Sequence, residues 1–180
     1  MVPVVTIIAV VFFVIIAAAL IFIFTRPDSF RLERSAQIAA PANAIFPLIN
    51  DFHEWHRWSP WEKLDLNMTK TFDGASAGPG AIYSWSGNKK AGEGRMTLLE
   101  SSPDNRVSIK LEFMKPFKCT NHAVFQLAPE GSGTQVNWIM TGNNNFMGKM
   151  FYPFMDKTVG KDFEQGLANL NSVAQKSDRS

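Results

Sequence analysis

The sequence predicts an α+β fold in which a curved antiparallel sheet wraps around one long helix near the C-terminus. Three observations lead to this prediction. An uncharged apolar segment opens the chain, the middle contains segments whose apolar residues recur at every second position, and the last segment repeats every three or four positions. A run of strands followed by one helix is typical of α+β domains, because a sheet face and a helix stripe can bury each other. We expect six to seven strands, with two short helices after the first.

The first element is a predicted transmembrane helix over Val4–Phe24, within an anchor formed by residues 1–25. This segment carries no charge, and Thr6 is its one polar side chain. As a helix it spans about 31 Å, close to the thickness of a bilayer's hydrocarbon core. A cleaved signal peptide is the alternative. The length of the apolar run, with no Lys or Arg before it and no small-residue cleavage site after it, favours a retained anchor.

The remaining chain, residues 26–180, is predicted to form one ligand-binding domain on the cytoplasmic side of the membrane. Arg26, Arg31 and Arg34 follow the apolar segment closely, and basic residues tend to stay on the cytoplasmic side. The linker over residues 25–29 spans at most about 17 Å. We therefore expect a single-pass membrane protein whose domain sits against the bilayer surface.

The start of the domain predicts a strand and two short helices. Apolar and polar side chains alternate through residues 30–38, as in a half-buried strand. Pro41 suits the first turn of a helix, and Pro47 is expected to kink or shorten that helix. A second short helix is expected to begin near Asn50 or Asp51, either of which can cap it.

The middle of the chain predicts the remaining strands. Alternating segments are separated by turn residues such as Gly, Pro and Asn. Their approximate positions are residues 68–72, 81–86, 95–100, 107–113, 123–127 and 136–140.

The last segment predicts a long amphipathic helix. Its apolar stripe consists of Phe151, Phe154, Met155, Val159, Phe163, Leu167, Leu170 and Ala174. Charged residues such as Lys157 and Glu164 lie off this stripe. The stripe is bulky in its first half and slimmer toward its end, and it is the surface that we expect the sheet to cover.

The composition and the polar residues exclude several classes of function. The formal net charge is +2, with 18 basic and 16 acidic residues, which is too balanced for a nucleic-acid-binding protein. The single cysteine, Cys119, excludes an internal disulfide and has no obvious histidine partner. His53 and His56 are three residues apart and lack a clear third ligand, so we expect neither a metal site nor a cofactor.

Four stretches carry a family resemblance: SAQIAAPANAIFPLINDFHEWHRWSPW, GPGAIYSWSGNKKAGEGRMTLLE, GTQVNWIMTG and FMDKTVGKDFEQGLANL. Together they resemble the START-like, or helix-grip, superfamily (SRPBCC), in particular its bacterial polyketide cyclase/dehydrase and lipid transport branch. The resemblance runs from Phe30 to about Ala174. It implies a deep hydrophobic cavity between sheet and long helix that holds lipids, sterols, polyketides or other apolar molecules. It transfers no catalytic residue, because none of these stretches is a catalytic motif.

Three of the five tryptophans lie in the stretch DFHEWHRWSPW, at Trp55, Trp58 and Trp61. In the fold that the resemblance implies, the short helices close one end of the cavity. An indole ring suits such a rim, since its face is apolar and its N–H is polar. A lid of this kind, near a bilayer, can take an apolar ligand from the membrane. The alternative is that the tryptophans pack the short helices onto the sheet, and both roles can hold at once.

The expected ligand contacts are large, mostly aromatic side chains on the strand and helix faces that should turn inward. They are Trp55, Trp58, Tyr83, Trp85, Met96, Phe113, Phe125, Trp138, Met140, Phe154 and Met155. Apolar walls with a few polar groups are typical of small-molecule sites. The same residues also suit a filled core, and the pattern leaves both interpretations open.

No acid/base pair of the kind that an enzyme needs is evident in the sequence. Tyr83 is the best inward-facing proton donor, whereas the strand parity that turns Met96 inward turns Arg95 outward. We therefore expect membrane-anchored binding or transport of a hydrophobic small molecule without catalysis. The alternatives are a polyketide cyclase/dehydratase-type enzyme with Tyr83 as proton donor, and a non-enzymatic stress or interaction module whose cavity is vestigial.

Overall fold

A computed structural model of the chain describes residues 3–144 and 146–177. In chain order its elements are α1 (Val4–Phe24), β1 (Ser29–Ile38), α2 (Ala42–Asn50), a first 3₁₀ helix (Phe52–Arg57), a second 3₁₀ helix (Pro60–Lys63), β2 (Thr69–Gly74), β3 (Ala81–Ser86), β4 (Glu93–Ser102), β5 (Arg106–Lys115), β6 (Cys119–Glu130), β7 (Gly133–Asn143) and α3 (Phe146–Ser177). The α+β class, the seven strands and the long C-terminal helix confirm the predicted fold.

The strands form one open antiparallel sheet in the order β1-β7-β6-β5-β4-β3-β2. Because neighbours run in opposite directions, β1, β2, β4 and β6 begin at the end of the sheet where β3, β5 and β7 finish. The pairs Ser29↔Asn143 and Thr69↔Ser86 mark this end at the two edges of the sheet. We call it the proximal end, because α1 precedes β1 there, and the opposite end the distal end.

Helix α3 starts at the proximal end and crosses one face of the sheet to the distal end. At the distal end, the backbone N–H of Ala39 donates to Asn171 Oδ1 at 3.0 Å. Nearer the proximal end, Arg34 on β1 pairs with Asp156 at 2.9 Å and Glu164 at 2.7 Å. These contacts fix the helix along its length.

The two halves of α3 pack differently. Four residues of the second half are buried in the core: Phe163, Leu167, Leu170 and Ala174. In the first half, Met155 and Val159 are only partly buried and Phe154 is 61% exposed; the side chain of Phe151 lies outside the described residues. The first half of α3 therefore covers the sheet less closely than the predicted stripe implies.

The short helices follow the predicted order with one addition. Helix α2 runs through Pro47 and ends at Asn50. Asp51 caps the next helix as predicted, because its Oδ1 accepts from the backbone N–H of His53 at 2.8 Å. That helix is a 3₁₀ helix rather than an α-helix, and the second 3₁₀ helix, which begins at Pro60, was not predicted.

Helix α1 stands apart from the core. None of its residues is buried, and the hydrophobic core is formed by residues between Phe30 and Ala174. Its length and its mean hydropathy of 3.4 are sufficient to cross a membrane, and a signal sequence near an N-terminus has the same properties. Because none of the buried core residues of the described chain lies in α1, a chain that starts at Arg26 retains this hydrophobic core.

Candidate functional site

A cavity of about 520 Å³ lies between the sheet and α3. Its volume is within the range of small-molecule sites, about 300–1,000 Å³. Most of the wall is apolar, and its deepest part includes Ile109, Trp138 and Phe163, which are 0%, 2% and 1% exposed. The large inward-facing residues therefore surround a space instead of filling it.

Eight of the predicted ligand contacts line this cavity: Trp55, Tyr83, Trp85, Met96, Phe113, Trp138, Met140 and Met155. Their role as ligand contacts remains a prediction. The other three lie elsewhere. Trp58 and Phe125 are 1% and 0% exposed and sit behind the wall, whereas Phe154 faces outward. Phe154 lies about 100° around the helix from Met155, which turns it away from the cavity.

The tryptophan-rich segment packs the first 3₁₀ helix onto the sheet. Trp55 Nε1 donates to the carbonyl of Ile49 at 3.0 Å, and Trp58 Nε1 donates to that of Leu48 at 2.8 Å. These bonds satisfy carbonyls near the C-terminal end of α2, which lack helical partners. The Trp58 ring meets Phe125 at 6.1 Å between centroids and Trp138 at 5.6 Å. Trp58 thus has the packing role, and Trp55 combines it with a place on the cavity wall.

Trp61 joins the cavity wall to α3. It is partly buried and meets Trp138 and Phe163 edge to face, with centroids 5.5 and 6.0 Å apart. Its side chain also donates a hydrogen bond to Asp162. Near it, Asn169 Nδ2 donates to the carbonyl of Trp58 at 2.9 Å. The tryptophans therefore close the cavity against the middle and distal half of α3.

A polar pair that the sequence did not predict lies on the cavity wall. The Tyr83 hydroxyl donates to Glu62 Oε1 at 2.7 Å, and Lys70 forms an ion pair with the same carboxylate. Burial raises the pKa of Tyr83, and the hydrogen bond to Glu62 raises it further, so the phenol keeps its proton. Glu62 and Tyr83 are far apart in the sequence, and only the folded sheet brings them together.

A second carboxyl of the cavity, Asp162, projects from α3. Burial raises the pKa of Asp162, and the hydrogen bond from Trp61 partly offsets this shift. This carboxyl therefore binds a proton more readily than an exposed aspartate does. The sequence contains a signal for this position in the cavity, because Asp162 lies seven residues after Met155 and hence on the same face of the helix.

The remaining reactive side chains offer little chemistry. Burial raises the pKa of the Cys119 thiol, which makes it a poorer nucleophile. His53 Nδ1 lies 2.7 Å from Asp51 Oδ1, and His122 is exposed on the outer face of the sheet. Within residues 3–144 and 146–177, no group of three or more His, Cys, Asp or Glu side chains is placed to hold a metal ion.

The cavity opens at the proximal end of the sheet. The more exposed residues of its wall sit on the turns and element ends of that region: Leu64 and Met68 before β2, Lys90 and Ala91 before β4, Phe117 before β6, and Asn143 and Gly148 around the start of α3. Leu64 is 38% and Phe117 is 49% exposed. Within the tryptophan segment, Trp55 is 4% exposed, whereas Trp61 is partly buried and lies three residues before Leu64.

Comparison with known proteins identifies a family that matches most of the chain. The family described as "Polyketide cyclase / dehydrase and lipid transport" matches residues 29–175, which contain the whole sheet and nearly all of α3. No curated protein matches the chain.

Several solved structures are similar in fold. A solution NMR structure from Thermobifida fusca has 24% identity and a TM-score of 0.62, over 82% of this chain and 95% of that one. A crystal structure from Mesorhizobium loti has 16% identity and a TM-score of 0.61, over 83% and 99% of the two chains. One from Chromobacterium violaceum has 16% identity and a TM-score of 0.58, over 83% and 98%. At these identities the likeness shows the fold alone.

Proposed function

Because this chain belongs to the polyketide cyclase/dehydrase and lipid transport family, we propose that it binds a hydrophobic small molecule in the cavity between the sheet and α3. Membership of this family indicates hydrophobic ligand binding in general. The observation that carries the specific proposal is the cavity of about 520 Å³ with its apolar deep wall. Each Å² of apolar ligand surface that leaves water there contributes about 25 cal/mol.

The polar groups of the wall support a ligand that is mostly apolar and carries a hydrogen-bonding group. The charge of Glu62 is balanced by Lys70, and the Tyr83 hydroxyl donates to it. The carboxyl of Asp162, whose pKa is raised by burial, adds a further hydrogen-bonding group to the cavity wall. A polar site of this kind orients a ligand, while the apolar wall supplies most of the affinity.

Binding is tested by filling the cavity. Ala123 is 7% exposed and lines the cavity, so Ala123→Phe places a ring in the binding space. Ala128 lies on the same strand and is exposed, so Ala128→Phe is the matched control. With residues 26–180 and the fluorescent probe N-phenyl-1-naphthylamine, we expect saturable binding by the wild type and Ala128→Phe, and its loss in Ala123→Phe. Equal binding by all three chains would place the probe outside the cavity.

We also propose that α1 is a retained anchor and that the domain lies in the cytoplasm. The uncharged α1 and the arginines after it support this arrangement, and the Arg26 guanidinium lies 3.8 Å from the centroid of the Phe22 ring. A C-terminally tagged chain should keep its full mass and remain in the membrane fraction. Protease added outside spheroplasts should leave the domain intact, whereas cleavage after α1 or digestion from outside would contradict the proposal.

A second candidate is a cyclase/dehydratase-type enzyme, which the polar pair Tyr83–Glu62 and Asp162, a second carboxyl of the cavity wall, favour. Asp162 suits a general acid better than Tyr83, because the raised pKa of the phenol holds its proton. Incubation with a bacterial lipid extract, followed by mass spectrometry, should reveal a product that has lost one water if the protein is such an enzyme. Asp162→Asn should then abolish the product and preserve probe binding. The open cavity gives no support to the third alternative, a module with a vestigial cavity.

A further inference from the structure

The linker after α1 is tied to the mouth of the cavity. Only residues 25–28 separate α1 from β1. The backbone N–H of Asn144 donates to the carbonyl of Asp28 at 2.8 Å, and Asn144 Nδ2 donates to that of Pro27 at 3.0 Å. Lys149 on α3 pairs with the Asp28 carboxylate at 2.5 Å. Since Asn144 also lines the cavity, the C-terminal end of α1 is held beside the opening.

The loops around the mouth expose apolar side chains. Leu66, between the second 3₁₀ helix and β2, is 89% exposed, and Phe117, between β5 and β6, is 49% exposed. Both belong to loops at the proximal end. Leu64, two residues before Leu66, lines the cavity, and so does Phe117 itself. An apolar rim that continues into an apolar cavity is the surface that a lipid interface would cover.

The loops at the proximal end carry an excess of positive charge. Lys89, Lys90 and Lys118 are exposed, and none of them takes part in an ion pair recorded for the described part of the chain. The carboxylates of Glu62, Glu93 and Asp28 are each matched by a lysine. The Asp65 carboxylate accepts the backbone N–H groups of Asn67 and Asn88. Lysines beside exposed apolar side chains are typical of surfaces that bind acidic lipid headgroups.

We propose that the proximal mouth of the cavity lies against the acidic lipid surface of the bilayer that holds α1, with Leu66 and Phe117 in the headgroup region. The ligand then passes between the bilayer and the cavity without crossing water. This inference rests on the proposed function, because it takes α1 as an anchor and the cavity as the binding site. It places the portal at these proximal loops, whereas the sequence suggested a lid formed by the tryptophan segment.

The contact is tested with the full-length chain in nanodiscs. In a Cys119→Ser background, single cysteines at Leu66→Cys and Phe117→Cys carry a fluorescent bimane label. Ser132→Cys, in the exposed turn between β6 and β7 at the distal end, is the matched control. The discs contain phosphatidylcholine and phosphatidylglycerol, with a fraction of nitroxide-labelled lipid as quencher. Melting curves establish that each labelled chain folds as the wild type does.

We expect quenching at positions 66 and 117 to be several-fold stronger than at position 132, and to weaken when phosphatidylglycerol is replaced by phosphatidylcholine. Equal quenching at the three positions, or stronger quenching at position 132, would overturn the proposal. If the proximal labels are unquenched while residues 26–180 still bind N-phenyl-1-naphthylamine, the proposed bilayer contact of the mouth is wrong and the proposed binding function stands. If the labels are quenched but the probe is not bound, the ligand-passage role falls together with the proposed function.

Discussion

Trp58 contributes to stability through its surroundings in the core. Its ring is 1% exposed and packs against Trp55, Phe125 and Trp138, and its N–H is bonded to the carbonyl of Leu48. Removing a buried aromatic side chain leaves a cavity and, here, an unsatisfied carbonyl. We therefore expect Trp58→Ala to lower the free energy of unfolding by about 3–5 kcal/mol.

Urea denaturation of residues 26–180 measures this loss. Phe154→Ala is the control, because Phe154 is 61% exposed and lies outside the cavity, and it should leave both stability and probe binding nearly unchanged. A Trp58→Ala chain that unfolds like the wild type but loses the probe would instead restore the lid interpretation.

Asp162 gives a prediction on pH. Because burial raises its pKa in the folded protein, the folded state binds the proton more tightly than the unfolded state does. Its contribution to stability therefore falls as the pH rises through the titration range, from about pH 4 upward. Asp162→Asn removes this titration and keeps an oxygen that can accept from Trp61.

The expected result is that Asp162→Asn melts higher than the wild type at pH 7 and that the difference closes toward pH 4. Thermal melts across this range check the prediction. Asp73→Asn, at an exposed position on β2, is measured in parallel as a control for the substitution itself. If the difference in melting temperature between Asp162→Asn and the wild type grew as the pH fell, this would contradict a raised pKa of Asp162.

Within helix α3, alanine substitutions at two glycines separate the effect of helix propensity on stability from the effect of packing. A Cβ at Gly166 would lie 2.8 Å from Cζ3 of Trp138, a ring stacked on Phe163 at 4.0 Å between centroids. A Cβ at Gly160 would lie 2.3 Å from Nη2 of Arg34, whose guanidinium must then shift away from its ion-pair partners Asp156 and Glu164. Alanine adds about 1 kcal/mol of helix propensity at either site.

We expect Gly166→Ala to destabilise the domain by about 1 kcal/mol net, because overpacking costs about 1–3 kcal/mol. Gly160→Ala should be close to neutral, because the gain in helix propensity is offset by the weakening of the exposed ion pairs of Arg34, each worth at most about 1 kcal/mol. Urea denaturation of both variants gives the comparison, and a stabilised Gly166→Ala would show that Trp138 can shift freely, which its packing argues against.

The regular elements were predictable because periodicity reports which side of an element is buried. The alternation in residues 30–38 matches the observed burial of Phe30, Leu32 and Ile38 on β1. The 3₁₀ helix that begins at Pro60 was missed, because one short turn carries no periodic signal. Phe154 was misplaced for another reason: the apolar stripe indicates which face of α3 is apolar, but not that its first half lies over a cavity.

At the scale of the whole molecule, the cavity wall was predictable but the shape and direction of the cavity were not. Strand parity identified Tyr83, Met96 and Met140 as inward-facing residues. The pair Tyr83–Glu62 joins β3 to a 3₁₀ helix, and the position of the mouth follows from the register of all seven strands. Both depend on contacts distant in sequence, which local patterns do not encode.

Native mass spectrometry can show whether the domain holds an apolar molecule in this cavity. Residues 26–180 and their Ala123→Phe variant would be purified from a bacterial host without detergent. We expect a discrete additional mass on the wild type, identified after extraction as a lipid or similar apolar compound, and its absence from the variant. A bare wild-type mass, or the same additional mass on both chains, would contradict binding in this cavity.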